Sequence, residues 1–117
     1  MPSVKETIAY KVLTAAELAA LEDGSFDGAA VDRADGYIHL STATQLAETV
    51  ARHFPGQGDL AIAAVDLDAL GAAVRWEKSR GGDHFPHLYG RLTLDVVIAY
   101  GPLEMEPDGS VRLPVAG

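Results

Sequence analysis

The sequence contains no cysteine. This absence excludes a disulfide framework, a thiolate nucleophile and any zinc or iron–sulfur site with cysteine ligands. Small secreted domains usually depend on disulfides, so the composition favours a cytoplasmic location. The sequence also has no run of about 18 apolar residues, the length that a membrane-spanning helix needs. Its first ten residues lack the apolar stretch of a signal peptide. We therefore expect no membrane partner.

Basic residues are scarce. The chain has 9 Lys and Arg against 17 Asp and Glu, which gives a formal net charge of −8. Proteins bind long nucleic acids largely by neutralising phosphates, so we expect no long RNA or DNA partner. The composition is otherwise that of a globular protein, with 48% hydrophobic and 22% charged residues. A chain of 117 residues is long enough to bury a core, and we expect one domain over residues 1–117.

Three signatures of common enzyme folds are also missing. The sequence contains no G-x-G-x-x-G, no G-x-x-x-x-G-K-[ST] and no G-x-S-x-G. These motifs mark dinucleotide-binding folds, P-loop nucleotidases and the nucleophile elbow of hydrolases. The sequence therefore argues against all three classes.

The local patterns predict two main helices and several strands. One helix begins after Thr14, where Thr14 and Glu17 form a capping box, and the other begins after Thr42. Residues 25–36 are rich in small and polar side chains and predict a loop. Strands are predicted at residues 7–13, 37–41, 59–66, 74–78 and 95–100. We expect an α+β fold with a split, mostly antiparallel β-sheet.

The segment from Arg75 to Arg91 is the richest in chemical groups. It holds the one tryptophan, two of the four histidines, three arginines, a glutamate and a tyrosine. A mixture of aromatic and titratable side chains is typical of ligand pockets. The alternative is an exposed loop with incidental histidines. We predict a small-molecule site here, joined by His39.

Glu77 is the first candidate within this segment. A carboxylate beside an aromatic wall such as Trp76 can have a raised pKa and act as an acid or a base. It can also hold a ribose hydroxyl or orient a cation. The alternative is a surface ion pair with Arg75, Lys78 or Arg80.

His84 and His87 have an H-x-x-H spacing. On a helix the two imidazoles would lie side by side, but Pro86 disfavours a helix here. In an extended chain they point to opposite faces. A metal site would need a further ligand from His39 or Glu77. The simpler interpretation is that one histidine enters a pocket and the other fixes the chain.

His39 lies on the opposite strand face from Ile38 and Leu40, and Ser41 shares its face. The helix that follows Thr42 offers backbone N–H groups nearby, and this combination suits an anion such as phosphate. Alternatively, Ser41 and Thr42 only cap the helix.

Four blocks of this sequence resemble the family catalogued as domain of unknown function 952. They are YKVL at residues 10–13, DGYIHLS at residues 35–41, Trp76-Glu77, and FPHLYG at residues 85–90. The likeness covers about residues 8–103, and the order and spacing of all four blocks agree.

That family is similar in fold to the ADP-ribosyltransferase superfamily, whose split β-sheet binds NAD in a cleft. The resemblance implies NAD as a cofactor, with Glu77 and His39 in catalytic positions. The ligand-binding residues that we propose alongside them are Tyr10, Lys11, Ser41, Arg75, Trp76, His87, Tyr89 and Arg91. The transferases carry a catalytic His or Arg on the first strand, where this chain has Tyr10 and Lys11.

Three hypotheses follow for function. The first is an ADP-ribosyltransferase-type enzyme, in which His39 and an arginine (Arg75, Arg80 or Arg91) bind phosphates. The second is a non-catalytic pocket for a nucleotide or another small anionic metabolite. The third is a metal-dependent hydrolase that uses His39, His84, His87 and Glu77.

Overall fold

A computed structural model describes residues 7–79 and 82–114 of the chain. Within these residues there are six strands: β1 (Ile8–Leu13), β2 (Ile38–His39), β3 (Ala61–Asp66), β4 (Val74–Lys78), β5 (His84–Leu88) and β6 (Val97–Pro102). The same part of the chain forms four α-helices: α1 (Ala15–Asp23), α2 (Ala30–Asp35), α3 (Leu46–His53) and α4 (Leu67–Leu70). None of the helices in these two ranges has both the length and the apolar character needed to cross a bilayer.

The strands form two separate three-stranded sheets, and every pair is antiparallel. The orders are β1-β3-β6 in the first sheet and β2-β5-β4 in the second. A single bridge joins them, where Tyr10 N–H donates to the Ser41 carbonyl (2.7 Å) and Ser41 N–H to the Tyr10 carbonyl (2.9 Å). This pair is the backbone link between the two sheets among the described residues.

Both faces of the first sheet are buried. One face packs against the second sheet through a core cluster that includes Ala9, Leu13, Val65, Ile38, Leu40 and Leu88. The opposite face packs against α3 through a cluster that includes Tyr10, Val12, Ile62, Leu46 and the half-buried Phe54. Strand β3 is the central strand, which explains why residues 59–66 are almost continuously apolar.

The first predicted helix and its caps are confirmed. Glu17 N–H donates to Thr14 Oγ1 (3.2 Å), and Thr14 N–H donates to Glu17 Oε1 (2.9 Å). Gly24 ends α1 with a left-handed φ of 84°, a conformation that glycine adopts at little cost. The second predicted helix is a 3-10 turn at Ala43–Gln45 that continues into α3.

The prediction of a loop over residues 25–36 was wrong, because Ala30–Asp35 forms α2. No Ser, Thr, Asp or Asn side chain marks the start of this helix. Instead the Asp32 carboxylate reaches back to Ala29 N–H at 2.8 Å, and Asp32 is the buried residue of the helix. The α+β class and the antiparallel strands are confirmed. The described residues contain four α-helices, however, where we expected two main ones.

The polar segment after Arg75 is not a loop. Strands β4 and β5 form an antiparallel pair in which Arg75 faces His87 and Glu77 faces Phe85. The H-x-x-H residues lie in extended chain, as expected from Pro86, so His84 and His87 project to opposite faces of the sheet. The last predicted strand starts later than expected, at Val97, after a 3-10 turn at Leu94–Val96.

Gly28 gives a direct test of how α2 is held. Its φ is +107°, and a Cβ added there would lie 2.9 Å from the Asp32 Cβ. We expect Gly28→Ala to lower the free energy of unfolding by about 2–3 kcal/mol, because it adds both backbone strain and a clash. The matched control is Gly24→Ala, where φ is +84° but nothing lies within 4 Å of the added Cβ. We expect a smaller cost of about 1 kcal/mol there by urea denaturation. Equal losses would contradict the close approach of Gly28 and Asp32.

Candidate functional site

A cavity of about 490 Å³ lies beside the bridge between the two sheets. It is walled by β1, the segment around α2, the strand β2 with the residues after it, α3 and β5. Its polar lining includes Tyr10, Lys11, His39, Ser41, Thr49 and His87, and its apolar lining includes Val12, Val31, Leu40, Phe54 and Phe85. Its size is within the range of pockets that hold small molecules, about 300–1,000 Å³.

His87 is the most constrained side chain in this wall. Its residue exposure is 2%, and its Nδ1 lies 2.8 Å from Glu77 Oε1. The Tyr37 ring stacks on the imidazole, with centroids 4.1 Å apart and an angle of 23° between the planes. The other ring nitrogen, Nε2, is buried and has no hydrogen-bond partner among the described residues. A buried polar atom without a hydrogen-bond partner carries a free-energy cost, so the unpaired Nε2 needs a physical explanation.

Glu77 is hydrogen-bonded to His87 but does not itself line the cavity. Its Oε1 accepts hydrogen bonds from His87 Nδ1 and from the Tyr89 hydroxyl, each at 2.8 Å. These bonds, that from His87 first, lower the pKa of Glu77 below its ordinary value. This direction is opposite to the raised pKa that an aromatic wall could have produced. The supposed aromatic wall, Trp76, projects from the opposite face of β4. The hydrogen bond that the Tyr89 hydroxyl donates to Glu77 raises the pKa of Tyr89.

A buried ionic cluster is centred on Asp32, whose side chain is 1% exposed. The Oδ2 oxygen of Asp32 lies 2.8 Å from Lys11 Nζ and accepts a hydrogen bond from Ala29 N–H. The Oδ1 oxygen accepts a hydrogen bond from His39 N–H at 3.0 Å. Burial alone raises the pKa of Asp32. This effect of burial is outweighed by the hydrogen bond from the His39 ring and by the charge and hydrogen bond of Lys11. The pKa of Asp32 therefore lies well below its usual range. Asp32 is ionised at neutral pH and fixes α2 to β1 and β2.

His39 lies between two carboxylates. Its Nδ1 is 2.6 Å from Asp32 Oδ1, and its Nε2 is 3.0 Å from Asp35 Oδ2. The His39 and His87 rings meet edge to face at 5.4 Å. His39 and Glu77 therefore lie on the same side of the second sheet, connected through His87.

Five of the residues proposed from the sequence line the cavity: Tyr10, Lys11, His39, Ser41 and His87. Ser41 Oγ lies 2.9 Å from Thr49 Oγ1 on α3. The backbone N–H of Thr42 is taken by Gln45 Oε1 at 3.0 Å. The Gln45 bond is of the capping-box type, whereas the Ser41 hydroxyl pairs with Thr49 and caps no helix. The turn that Thr42 begins, Ala43–Gln45, is a short 3-10 segment.

The other proposed residues lie outside the cavity wall. The Arg75 guanidinium lies 4.8 Å from the centroid of the Tyr89 ring, on the exposed side of the second sheet. Arg91 donates to the carbonyls of Gly24 and Phe26 and so ties β5 to the end of α1. Arg80 lies outside the described residues.

The proposed metal ligands do not converge. His84 is exposed and projects away from His87, on the other face of β5. Across residues 7–79 and 82–114, no three histidine, aspartate or glutamate side chains are placed to hold one ion.

Several site residues were missed from the sequence: Asp32, Asp35, Tyr37, Thr49 and His53. Asp32 and Asp35 fell in the segment expected to be a loop. His53, the last residue of α3, also lines the cavity. A signal for Asp32 was present, because Gly28 and Gly36 bracket a short segment whose third helical residue is acidic.

Comparisons with known proteins agree with one another. Residues 12–100 match a family model described as a protein of unknown function, DUF952. A crystal structure of protein CC0527 from Caulobacter crescentus is 44% identical, with 92% of this chain and 95% of that chain covered and a TM-score of 0.81. The solution NMR structure of CC0527 is also 44% identical, with coverage of 90% and 91% and a TM-score of 0.75. Among curated proteins, no match to the chain was found.

Proposed function

Since the chain belongs to the DUF952 family, whose function is unknown, we propose a function from the site itself: the cavity binds a small molecule, and His87 performs acid–base chemistry on it. The observation that carries this proposal is the buried Nε2 of His87, which has no partner among the described residues while Nδ1 is held by Glu77. A histidine in a pocket wall, oriented by a carboxylate, is a common arrangement for a general base.

Glu77 acts as a positioning residue in this scheme. Its carboxylate accepts the Nδ1 hydrogen, so a neutral His87 ring has its lone pair on Nε2. A ligand O–H or N–H close to Nε2 can then transfer its proton to that nitrogen. The imidazolium that forms is stabilised by the negative charge of Glu77, which itself stays ionised. Tyr37, stacked on the ring, keeps the imidazole plane in place.

The test compares two histidines on the same strand. A bound ligand raises the free energy of unfolding by RT ln(1 + [L]/Kd), about 2.7 kcal/mol at a hundred times Kd. We expect a compound found by thermal-shift screening to raise the Tm of the wild type and of His84→Gln. The shift should disappear in His87→Gln. Equal shifts in both variants would remove His87 from the site and overturn the proposal.

An ADP-ribosyltransferase-type enzyme is the second candidate. The feature that favours it is the division of the strands into two three-stranded sheets with a cavity beside their single bridge. The residues of the wall do not fit NAD in one respect. The pyrophosphate carries two negative charges, and the one Lys or Arg among the described lining residues, Lys11, is already paired with Asp32. Hydrolysis or transfer from NAD, measured by mass spectrometry and lost in His39→Ala, would favour this candidate over the first.

A further inference from the structure

We propose that the ligand of this cavity is electrically neutral and presents an O–H or N–H donor to His87 on a largely apolar body. This inference rests on the proposed function and names the chemical class of its ligand. It separates that function from a site for phosphates or other anions.

The first argument is the charge balance of the wall. Lys11 is the one lysine or arginine among the described lining residues, and its Nζ is occupied by Asp32 Oδ2 (2.8 Å) and the His39 carbonyl (3.1 Å). Two carboxylates, Glu17 and Asp35, also line the cavity. A phosphate entering this space would meet no unpaired lysine or arginine of the described wall. It would also approach the Glu17 carboxylate, while Asp35 already contacts the His39 ring at 3.0 Å. The wall therefore disfavours anions.

The second argument is the hydrogen-bonding role of His87. Its Nδ1 hydrogen is directed to Glu77, so Nε2 of the neutral ring is an acceptor. The partner that satisfies it must be a donor. A carboxylate or a fully ionised phosphate monoester offers only acceptor oxygens and would leave Nε2 unpaired. Nε2 is itself buried, so a donor reaches it when a neighbouring ring such as Tyr37 or His39 shifts outward.

The third argument is the character of the remaining wall. Apolar side chains from β1, α2 and β5 and from the residues that follow β2 and α3 line the cavity, including two aromatic rings, Phe54 and Phe85. An apolar or aromatic body buries its surface against them at about 25 cal/mol per Å². The hydroxyl groups of Tyr10, Ser41 and Thr49 are also in the wall, and they suit a ligand that carries a second uncharged polar group.

Three probes that share a phenyl ring separate these requirements: phenol, anisole and phenyl phosphate. Phenol is neutral with a donor, anisole is neutral without one, and phenyl phosphate is an anion. Binding is followed by 1H–15N NMR of the full chain at pH 8. We expect phenol to shift the His87 ring nitrogens and the amides of Leu40 and Phe85. Anisole should bind about tenfold more weakly, because it leaves Nε2 unpaired. Phenyl phosphate should bind more weakly than phenol.

The outcomes are distinct. Phenyl phosphate binding more tightly than phenol, or anisole binding as well as phenol, overturns the ligand class and leaves the proposed pocket in place. No response at His87 to any of the three probes counts against the pocket and therefore against the proposed function.

His87→Gln should lose the preference of phenol over anisole, and His84→Gln should keep it. Because His87 is buried, the fold of each variant is checked by its amide spectrum. Glu77→Gln supplies a second variant, which changes the acceptor shared by His87 Nδ1 and the Tyr89 hydroxyl and leaves His87 in place.

Discussion

Asp32→Ala is expected to lower the free energy of unfolding by about 3–5 kcal/mol, the usual cost of breaking a buried ion pair by removing one partner. Lys11, with a side chain 7% exposed, would keep its charge inside the protein without a counter-ion. The hydrogen bonds from Ala29 N–H, His39 N–H and the His39 ring would be lost at the same time. Urea denaturation followed by circular dichroism measures the change.

Two further variants make this result specific. Asp27→Ala removes an exposed carboxylate that pairs with Arg33 at 3.0 Å, and it should cost no more than about 1 kcal/mol. The double variant Lys11→Met with Asp32→Leu removes both buried charges, and it should recover much of the stability that Asp32→Ala loses. A loss below about 1 kcal/mol for Asp32→Ala would show that the cluster does not hold α2 in place. The cavity wall from Ala29 to Val31 would then need another explanation.

Acid should destabilise the protein through the same carboxylate. The pKa of Asp32 is depressed in the folded state and about 3.9 in the unfolded chain. A group of this kind stabilises the fold fully above the unfolded pKa, and that stability is lost as the pH falls towards the folded pKa. Below about pH 4 we expect Asp32 to contribute a slope approaching 1.4 kcal/mol per pH unit. Urea midpoints measured from pH 7 down to pH 2.5 give this slope.

The matched control for the acid experiment is Asp32→Asn, which keeps the shape of the side chain but cannot ionise. Its stability at pH 7 should be lower than that of the wild type, and its decline below pH 4 should be shallower, because the contribution of Asp32 is absent. Parallel curves for the two proteins would mean that other carboxylates control acid unfolding.

Local features of the fold were readable from the sequence. The Thr14–Glu17 capping box depends on residues three apart, and Gly24 follows directly. The apolar run at residues 59–66 indicated a strand with both faces buried, and β3 is the central strand of its sheet. Each of these signals lies within a few consecutive residues, where backbone geometry and side-chain chemistry act together.

The helix α2 and the role of Asp32 were not readable in this way. A six-residue helix with no Ser, Thr, Asp or Asn at its start has little local stability, since short helices depend on tertiary packing. What stabilises this one is Lys11, about twenty residues earlier, and His39, which follows the helix. Glu77 lacks the raised pKa that an aromatic neighbour could give it for a related reason. The neighbour that decides its pKa is His87, across the β4–β5 pair, and the adjacent Trp76 plays no part.

The sequence by itself determined the family, the α+β class, the antiparallel strands and the two residue neighbourhoods, around His39 and around Glu77, where chemical groups are concentrated. Only the tertiary structure decided which of these groups face the cavity, which pair with each other and which atom is left without a partner. The physical reason is that hydrogen bonds and ion pairs act over about 3 Å, while the residues that make them lie far apart in the chain, 28 positions for Lys11 and the His39 carbonyl. The register of the two sheets and the packing of α2 against them bring these residues together.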